Sequence, residues 1–355
     1  MFILIFFIVL FLLIISIIAL YYLRSRKKNE QFKFRFPLVQ GRSNLLPYTI
    51  FNTSLRALVL PRKTYTEYTP PNKLPKFLKY KRTILTPIGD QGLCGSCWAF
   101  AIAGVLADRL SIYTNRKYRH RLSAQSIISC VNYPKGCYGG ELDKTANWLE
   151  VNQYPVPTEN MFAYQNYESL EIDSTCRPKQ DIKAGVVVKL GSVKSIVTYI
   201  DEFEYDKKIL EENIKNMKQE LFENGPFFAA ISIYSDFLEY RGDTVYVKKS
   251  DSKFIGGHGI EVIGFCEKGE DFRPNFVNYA YWICKHNWGI DWPTPQSLYG
   301  PSTFCIRMGT NECGIESRCG ILEPYIDKDE IVTIDYENNR TMSFSHYKDM
   351  IKIMN

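Results

Sequence analysis

The apolar and polar positions divide the chain into blocks of different character. Met1 to Leu23, MFILIFFIVLFLLIISIIALYYL, is one apolar run whose polar side chains are Ser16, Tyr21 and Tyr22. As a helix it would rise about 34 Å at about 1.5 Å per residue, enough to cross a bilayer core. From Arg24 to about Pro71 the chain is basic and aromatic with scattered prolines, and PPNKLP (Pro70 to Pro75) disfavours helix. CWAFAIAGVLADRL, from Cys97 to Leu110, predicts an apolar helix, with Gly92 and Gly95 permitting a turn before it. LSAQSIISC, from Leu122 to Cys130, predicts a short helix capped by Ser123. Residues 201–223 have charged helical spacing, ended by Asn224-Gly225-Pro226. Beyond them FFAAISIY (Phe227 to Tyr234), GIEVIGFC (Gly259 to Cys266) and NYAYWICKH (Asn278 to His286) predict strands. Helices first and strands second make an α+β class with two lobes and a cleft between them. Asp327 to Asn355 is polar and reads as a peripheral tail.

Composition narrows the function. With 355 residues and 45% hydrophobic content the chain can bury a large core. Its net charge of +6 is spread without a basic, aromatic-studded stripe, so nucleic acid is not an expected partner. Ten cysteines lean toward an oxidising compartment, a lumen or the extracellular side. The apolar run is long, no basic residue precedes it and no small-x-small site follows, which favours a membrane anchor over a cleaved signal peptide. Arg24, Arg26, Lys27 and Lys28 would hold its C-terminal flank in the cytosol, against the cysteine count, so the orientation stays open.

The candidate chemistry centres on DQGLCGSCWAF, Asp90 to Phe100. Cys94 and Cys97 have the spacing of a thioredoxin-like redox pair, but the flanks do not read as its small βαβ unit. Zinc would need two more ligands, and no second C-x-x-C exists. Cys94 suits a disulfide. Cys97 begins a helix, where the macrodipole and free N–H groups stabilise a thiolate. Of four histidines, His120 and His346 lie in polar runs. His258 sits between glycines at the mouth of a strand, and His286 closes another. A lone strand histidine is usually structural, but flanking glycines let another segment approach closely.

QGLCGSCWAF resembles the nucleophile segment of the papain-like cysteine peptidases, which include the cathepsins. LSAQSIISC, GCYGG (Gly136 to Gly140), NGPFFAAI, GGHGIEVIGF and ECGIES (Glu312 to Ser317, with a cathepsin B flavour) follow in the family's order. The resemblance covers roughly residues 74–326 and implies a papain-like fold with a helical N-terminal lobe and a β-rich C-terminal lobe. It implies Cys97 as nucleophile, His258 as general base and acid, and Gln91 as an oxyanion donor beside the Cys97 N–H. It implies Trp288 as a shield for the histidine, and disulfides Cys94–Cys137 and Cys130–Cys176. Protein or peptide would be the substrate, with no metal or organic cofactor. Residues 24–73 would be a stalk or a short inhibitory pro-segment.

The chain departs from the pattern in three places. Aligned on Trp288, His286 occupies the position of the asparagine that orients the catalytic histidine, and Asn287 that of a serine. Neutral histidine accepts a hydrogen bond at one nitrogen and protonated histidine at none, so activity is expected to be lower or more pH-sensitive. A one-residue shift bringing Asn287 into place is the alternative. The place near Ser252 lacks the family's cysteine, which leaves Cys266, Cys284, Cys305, Cys313 and Cys319, an odd number, without assigned partners. No long helical pro-region precedes the domain. Arg318 falls where the family lines the pocket for the second residue before the scissile bond, so it is either a surface arginine or a selector for acidic residues. Two other readings remain: a catalytically silent relative that binds, and a membrane thiol oxidoreductase. Sequons at Asn52 and Asn339 matter only if they face a lumen.

Overall fold

The protein is described from a computed structural model covering residues 55–65, 74–131, 136–165, 175–182, 185–293, 297–326 and 351–354. The Met1–Leu23 run and both sequons lie outside these residues. Among the described residues no helix is long and apolar enough to cross a membrane.

Helix α1 (Cys97–Tyr113) is apolar on nearly every side, so it is buried on nearly every side. Helix α2 (Ala124–Cys130) starts where Ser123 Oγ accepts the Ser126 N–H at 2.9 Å, the cap its sequence predicts. Helix α3 (Leu142–Asn152) has no counterpart in the sequence reading. Helix α4 (Lys207–Glu223) begins at the capping side chain of Asp206. Leu106, Ile127 and Leu149, from the first three helices, share one core.

The second core surrounds a large sheet. Its strands are β1 (Phe77–Tyr80), β4 (Lys194–Ser195), β5 (Phe227–Tyr234), β6 (Phe254–Cys266), β7 (Tyr281–Lys285), β8 (Thr303–Arg307), β9 (Cys319–Ile321) and β10 (Ile351–Met354). The order runs β10-β1-β6-β5-β9-β4, with β7 and β8 continuing from β6. A separate antiparallel pair joins β2 (Val156–Pro157) to β3 (Gly185–Val186).

Strand β5 shows why a continuous apolar run is needed here. Phe227, Ala229, Ile231 and Ile233 join the sheet core, whereas Phe228 and Ala230 join the helical core. Alternate residues face opposite sides, so a strand between two cores must be apolar throughout. The mixed helix and sheet is the α+β class expected. Two expectations change. His258 lies inside β6, which begins at Phe254, five residues earlier than expected, because Phe254, Gly256 and Gly257 also pair with β5. The tail is not wholly peripheral: Ile351–Met354 pair antiparallel with β1 at the edge of the sheet.

Candidate active site

Cys97 is the first residue of α1 and is fully buried. The helix N-terminus places unsatisfied N–H groups and positive potential at its thiol. A disulfide joins Cys94 to Cys137 and ties the Cys94 turn to the Gly136–Tyr138 turn. Cys94 is therefore not a redox partner of Cys97. A second disulfide joins Cys130 to Cys176. Cys97, Cys266, Cys284, Cys305, Cys313 and Cys319 are unbridged and buried.

Gly259 brings β6 against this turn. A Cβ there would lie 3.2 Å from the Cys97 carbonyl oxygen and 3.3 Å from Leu142 Cδ2, a tight fit that its neighbours would have to yield to by a few tenths of an ångström. The neighbouring His258 is thereby held beside the start of α1. Gln91 is 1% exposed, and its Nε2 donates to the Cys94 carbonyl at 2.8 Å. One amide hydrogen is engaged there, and the amide has a second to give. The Gln91 N–H donates to the Asn287 carbonyl at 2.9 Å, which joins the two lobes across the site.

His286 follows β7 and is 2% exposed. Its ring centroid lies 4.6 Å from that of His258. Trp292 stacks on it at 4.4 Å and Trp288 meets it edge-on at 4.1 Å. Neither ring nitrogen of His286 has a hydrogen-bond partner among the described residues. His286 thus stands next to His258 by packing, and the hydrogen bond expected of an orienting residue is not formed. Burial, then the adjacent His258, hold its pKa well below the usual imidazole value. Asn287 turns elsewhere, its Nδ2 donating to the Cys97 carbonyl at 3.4 Å. The Trp288 ring centroid lies 5.1 Å from that of His258.

Arg318 is 3% exposed, so it is not a surface arginine. Its guanidinium lies 3.6 Å from Glu202, which also accepts from Tyr234 at 2.6 Å and from Ser232. The cation proposed to select acidic residues is already matched from within.

The sequence reading missed a buried charge cluster behind the site. Lys285 Nζ donates to Asp108 Oδ2 at 2.8 Å and lies 3.5 Å from Glu261 Oε1. A Cβ at Gly104 would overlap Glu261 Oε1, so α1 accommodates this carboxyl only through a glycine. Burial opposes the Lys285 ammonium, but Asp108 and Glu261 outweigh it and raise its pKa. The signal was present: Asp108, Glu261 and Lys285 each interrupt an apolar run, where ionised residues rarely stand unpaired.

Residues 55–65 dock on the domain. Arg56 pairs with Glu141 and, at 3.1 Å, with Asp143, which also accepts the Val59 N–H at 2.9 Å. Lys63 reaches Glu220 at 2.7 Å, and Tyr65 donates to the same carboxylate at 2.8 Å. Glu141 and Asp143 flank Leu142, the residue packed near Gly259.

With this geometry in place, comparison with known proteins identifies the family. Residues 74–321 match the papain family cysteine proteases, and the chain belongs to that family. A gut-specific cysteine proteinase of Caenorhabditis elegans is 28% identical over 235 residues, covering 65% of this chain and 66% of the relative. A tubulointerstitial nephritis antigen-like protein of Mus musculus is 30% identical over 254 residues, covering 67% of this chain and 51% of the relative. The matches thus span from about half to just under two thirds of these relatives. Among solved structures, procathepsin B S9 from Trypanosoma congolense superposes with a TM-score of 0.60 at 22% identity. It covers 79% of this chain and 88% of that one, and supports the papain-like fold.

Proposed function

We propose that the protein is a cysteine peptidase whose nucleophile is Cys97. The observation that supports this is a buried cysteine at a helix N-terminus whose backbone carbonyl is closely approached by Gly259, the residue after the buried strand histidine His258. His258 takes the thiol proton, the thiolate attacks the substrate carbonyl, and His258 returns the proton to the leaving amine. Water then hydrolyses the thioester. The second Gln91 amide hydrogen and the Cys97 N–H stabilise the oxyanion. His286 and Trp288 hold and shield the His258 ring by packing.

Residues 24–73 act as a short inhibitory pro-segment in this reading. A fully buried Cys97 and a segment docked beside Leu142 support that role over a free stalk. Met1–Leu23 serves as the membrane anchor, supported by its length and apolarity. The disulfides support a lumenal or extracellular domain.

The test is labelling of the full chain with an epoxysuccinyl peptide, read by mass, beside Cys97→Ser and an Arg56→Ala/Lys63→Ala variant with the segment loosened. One adduct on Cys97, faster in the loosened variant and absent from Cys97→Ser, is expected. No adduct on any folded variant would instead favour a silent relative that binds peptides.

A further inference from the structure

Donors from β5 and from the residue before β9 converge on one carboxylate. Tyr234 Oη donates to Glu202 Oε1 at 2.6 Å, and Ser232 Oγ donates to Glu202 Oε2. Arg318 Nη2 lies 3.6 Å from the same Oε2. Ser232, Tyr234 and Arg318 are all more than nine-tenths buried. A Cβ at Gly314 would overlap the Arg318 guanidinium, so the Glu312–Ser317 turn makes room for this cation with a glycine.

Glu202 itself belongs to no helix or strand. It stands in the irregular loop between β4 and α4, and Phe203 to Asp206, which follow it, are exposed. Among the described residues, the hydrogen bonds that residues 202–205 make outside their own loop are those of the Glu202 carboxylate. The match with Arg318 is one of charge more than of geometry. Arginine holds a carboxylate best through two parallel N–H···O bonds of about 2.7–2.9 Å. Arg318 stands off at 3.6 Å, and its Nε has no hydrogen-bond partner among the described residues. Its Nη1 contacts, 3.4 Å to Ser232 Oγ and 3.5 Å to the Cys313 carbonyl, are long as well.

We infer that Ser232, Tyr234 and Arg318 form a receptor for a carboxylate, that Glu202 fills it in the resting chain, and that an acidic side chain of a bound peptide can replace Glu202. The peptide as occupant rests on the peptidase reading; the receptor does not. Strand register ties the receptor to the candidate site, because Ser232 pairs with Gly257, the residue before His258. An incoming carboxylate would follow the route that Glu202 takes from the surface, and it is free to adopt the two-bond geometry that Glu202 does not reach. A lysine or arginine would meet Arg318, which has no acceptor to offer. While Glu202 is in place an acidic residue gains little, because it competes with a carboxylate tethered to the same chain at high effective concentration.

The experiment has two arms. Glu202→Ala lacks a methylene and a carboxylate, which acetate matches in size and charge. Sodium acetate at about 0.1 M should raise the unfolding midpoint of Glu202→Ala by about 1–2 °C over sodium chloride of equal ionic strength, the effect of a ligand near its Kd. The wild type and Glu202→Ala/Arg318→Met should not respond. A folded Glu202→Ala chain indifferent to acetate would overturn the inference. The second arm uses the full chain loosened by Arg56→Ala/Lys63→Ala and peptides that carry Glu or Gln at one position at a time. With Glu202→Ala added, kcat/KM should favour Glu about tenfold at one position, the effect of a hydrogen-bonded charge pair. In the loosened parent, and with Arg318→Met also added, the two peptides should agree within about twofold. A preference that survives Arg318→Met would overturn the inference. If Glu202→Ala does not fold, Glu202→Gln keeps the shape of the side chain and gives up its charge. It should favour Glu about threefold, and a ratio unchanged from the parent would overturn the inference. An acetate response in a chain that cleaves peptides without favouring Glu would overturn peptide as the occupant. An acetate response with no cleavage by any variant would leave the receptor standing and overturn the peptidase reading.

Discussion

Replacing His286 by asparagine separates packing from hydrogen bonding at His258, the proposed catalytic histidine. The wild-type ring is held by Trp288, Trp292 and Phe304, with ring centroids 4.1, 4.4 and 5.7 Å away, but makes no hydrogen bond among the described residues. An amide oxygen there would accept from the His258 imidazolium. Hydrogen bonds to charged groups contribute about 1.5–3 kcal/mol, and 1.36 kcal/mol is tenfold in rate. The shorter side chain reaches less far, so the low end applies: kcat/KM should rise about tenfold. Losing the ring from its aromatic cage should lower stability by about 1–2 kcal/mol, or Tm by roughly 2–5 °C. Acid reverses part of that loss. Burial, reinforced by His258, depresses the His286 pKa below 6.5. Below pH 6.5 the unfolded chain therefore binds a proton that the folded chain refuses. The wild type loses up to about 1.4 kcal/mol of stability per pH unit until the folded pKa is reached. His286→Asn does not, so its stability gap should narrow between pH 7 and pH 5. The assay is hydrolysis of a fluorogenic dipeptidyl amide, normalised to sites titrated with an epoxysuccinyl peptide, with denaturant unfolding at both pH values. A folded His286→Asn protein with activity abolished would refute the reasoning, because His286 would then be indispensable in a way that packing beside His258 does not explain.

The other predictions concern charge pairs and bridges. Arg318→Ala should leave Glu202 buried without its cation and lower stability by about 3 kcal/mol, while a peptide library shows no acidic preference at the second residue before the cleaved bond in either protein. A clear acidic preference that vanishes in Arg318→Ala would contradict the Glu202 pairing. Glu220 accepts from Arg109 and Lys63, both at 2.7 Å. Its burial is outweighed by Arg109 and Lys63, and its pKa is lowered. Its contribution is therefore present above its unfolded pKa and is lost as pH falls through the lower folded value. Glu220→Gln should cost about 3 kcal/mol near neutral pH and speed protease nicking of residues 55–65; wild-type nicking rates would show that Lys63 does not fasten the segment. Opening the Cys94–Cys137 bridge, whose cysteines are 43 residues apart, should cost about 4 kcal/mol by chain entropy, measured by unfolding of Cys94→Ser/Cys137→Ser. An unchanged midpoint would assign the bridge no stabilising role.

What was legible in the sequence follows a physical rule. Features set by local chemistry were readable: the Ser123 cap, the apolar α1 helix and the β5 run pressed between two cores. The turn at Cys94–Cys97 and the glycine-flanked His258 stood out because a rigid turn and a close strand approach demand fixed residue types in fixed order. What escaped depends on contacts between distant segments. Short strands such as β4 and β9 exist only because larger elements present edges to them. The partner of Arg318 could not be read, because Glu202 lies 116 positions away in an irregular stretch. The orienting position shows the same limit more sharply. Alignment on Trp288 places His286 beside His258, and the fold does so too. Alignment carries a position, however, and not a hydrogen bond. Packing in an aromatic cage stands in place of that bond. Asp108, Glu261 and Lys285 meet only after α1, β6 and β7 have packed. Each was visible as an ionisable residue inside an apolar run, which marks a buried charge in need of a partner without saying which partner it finds.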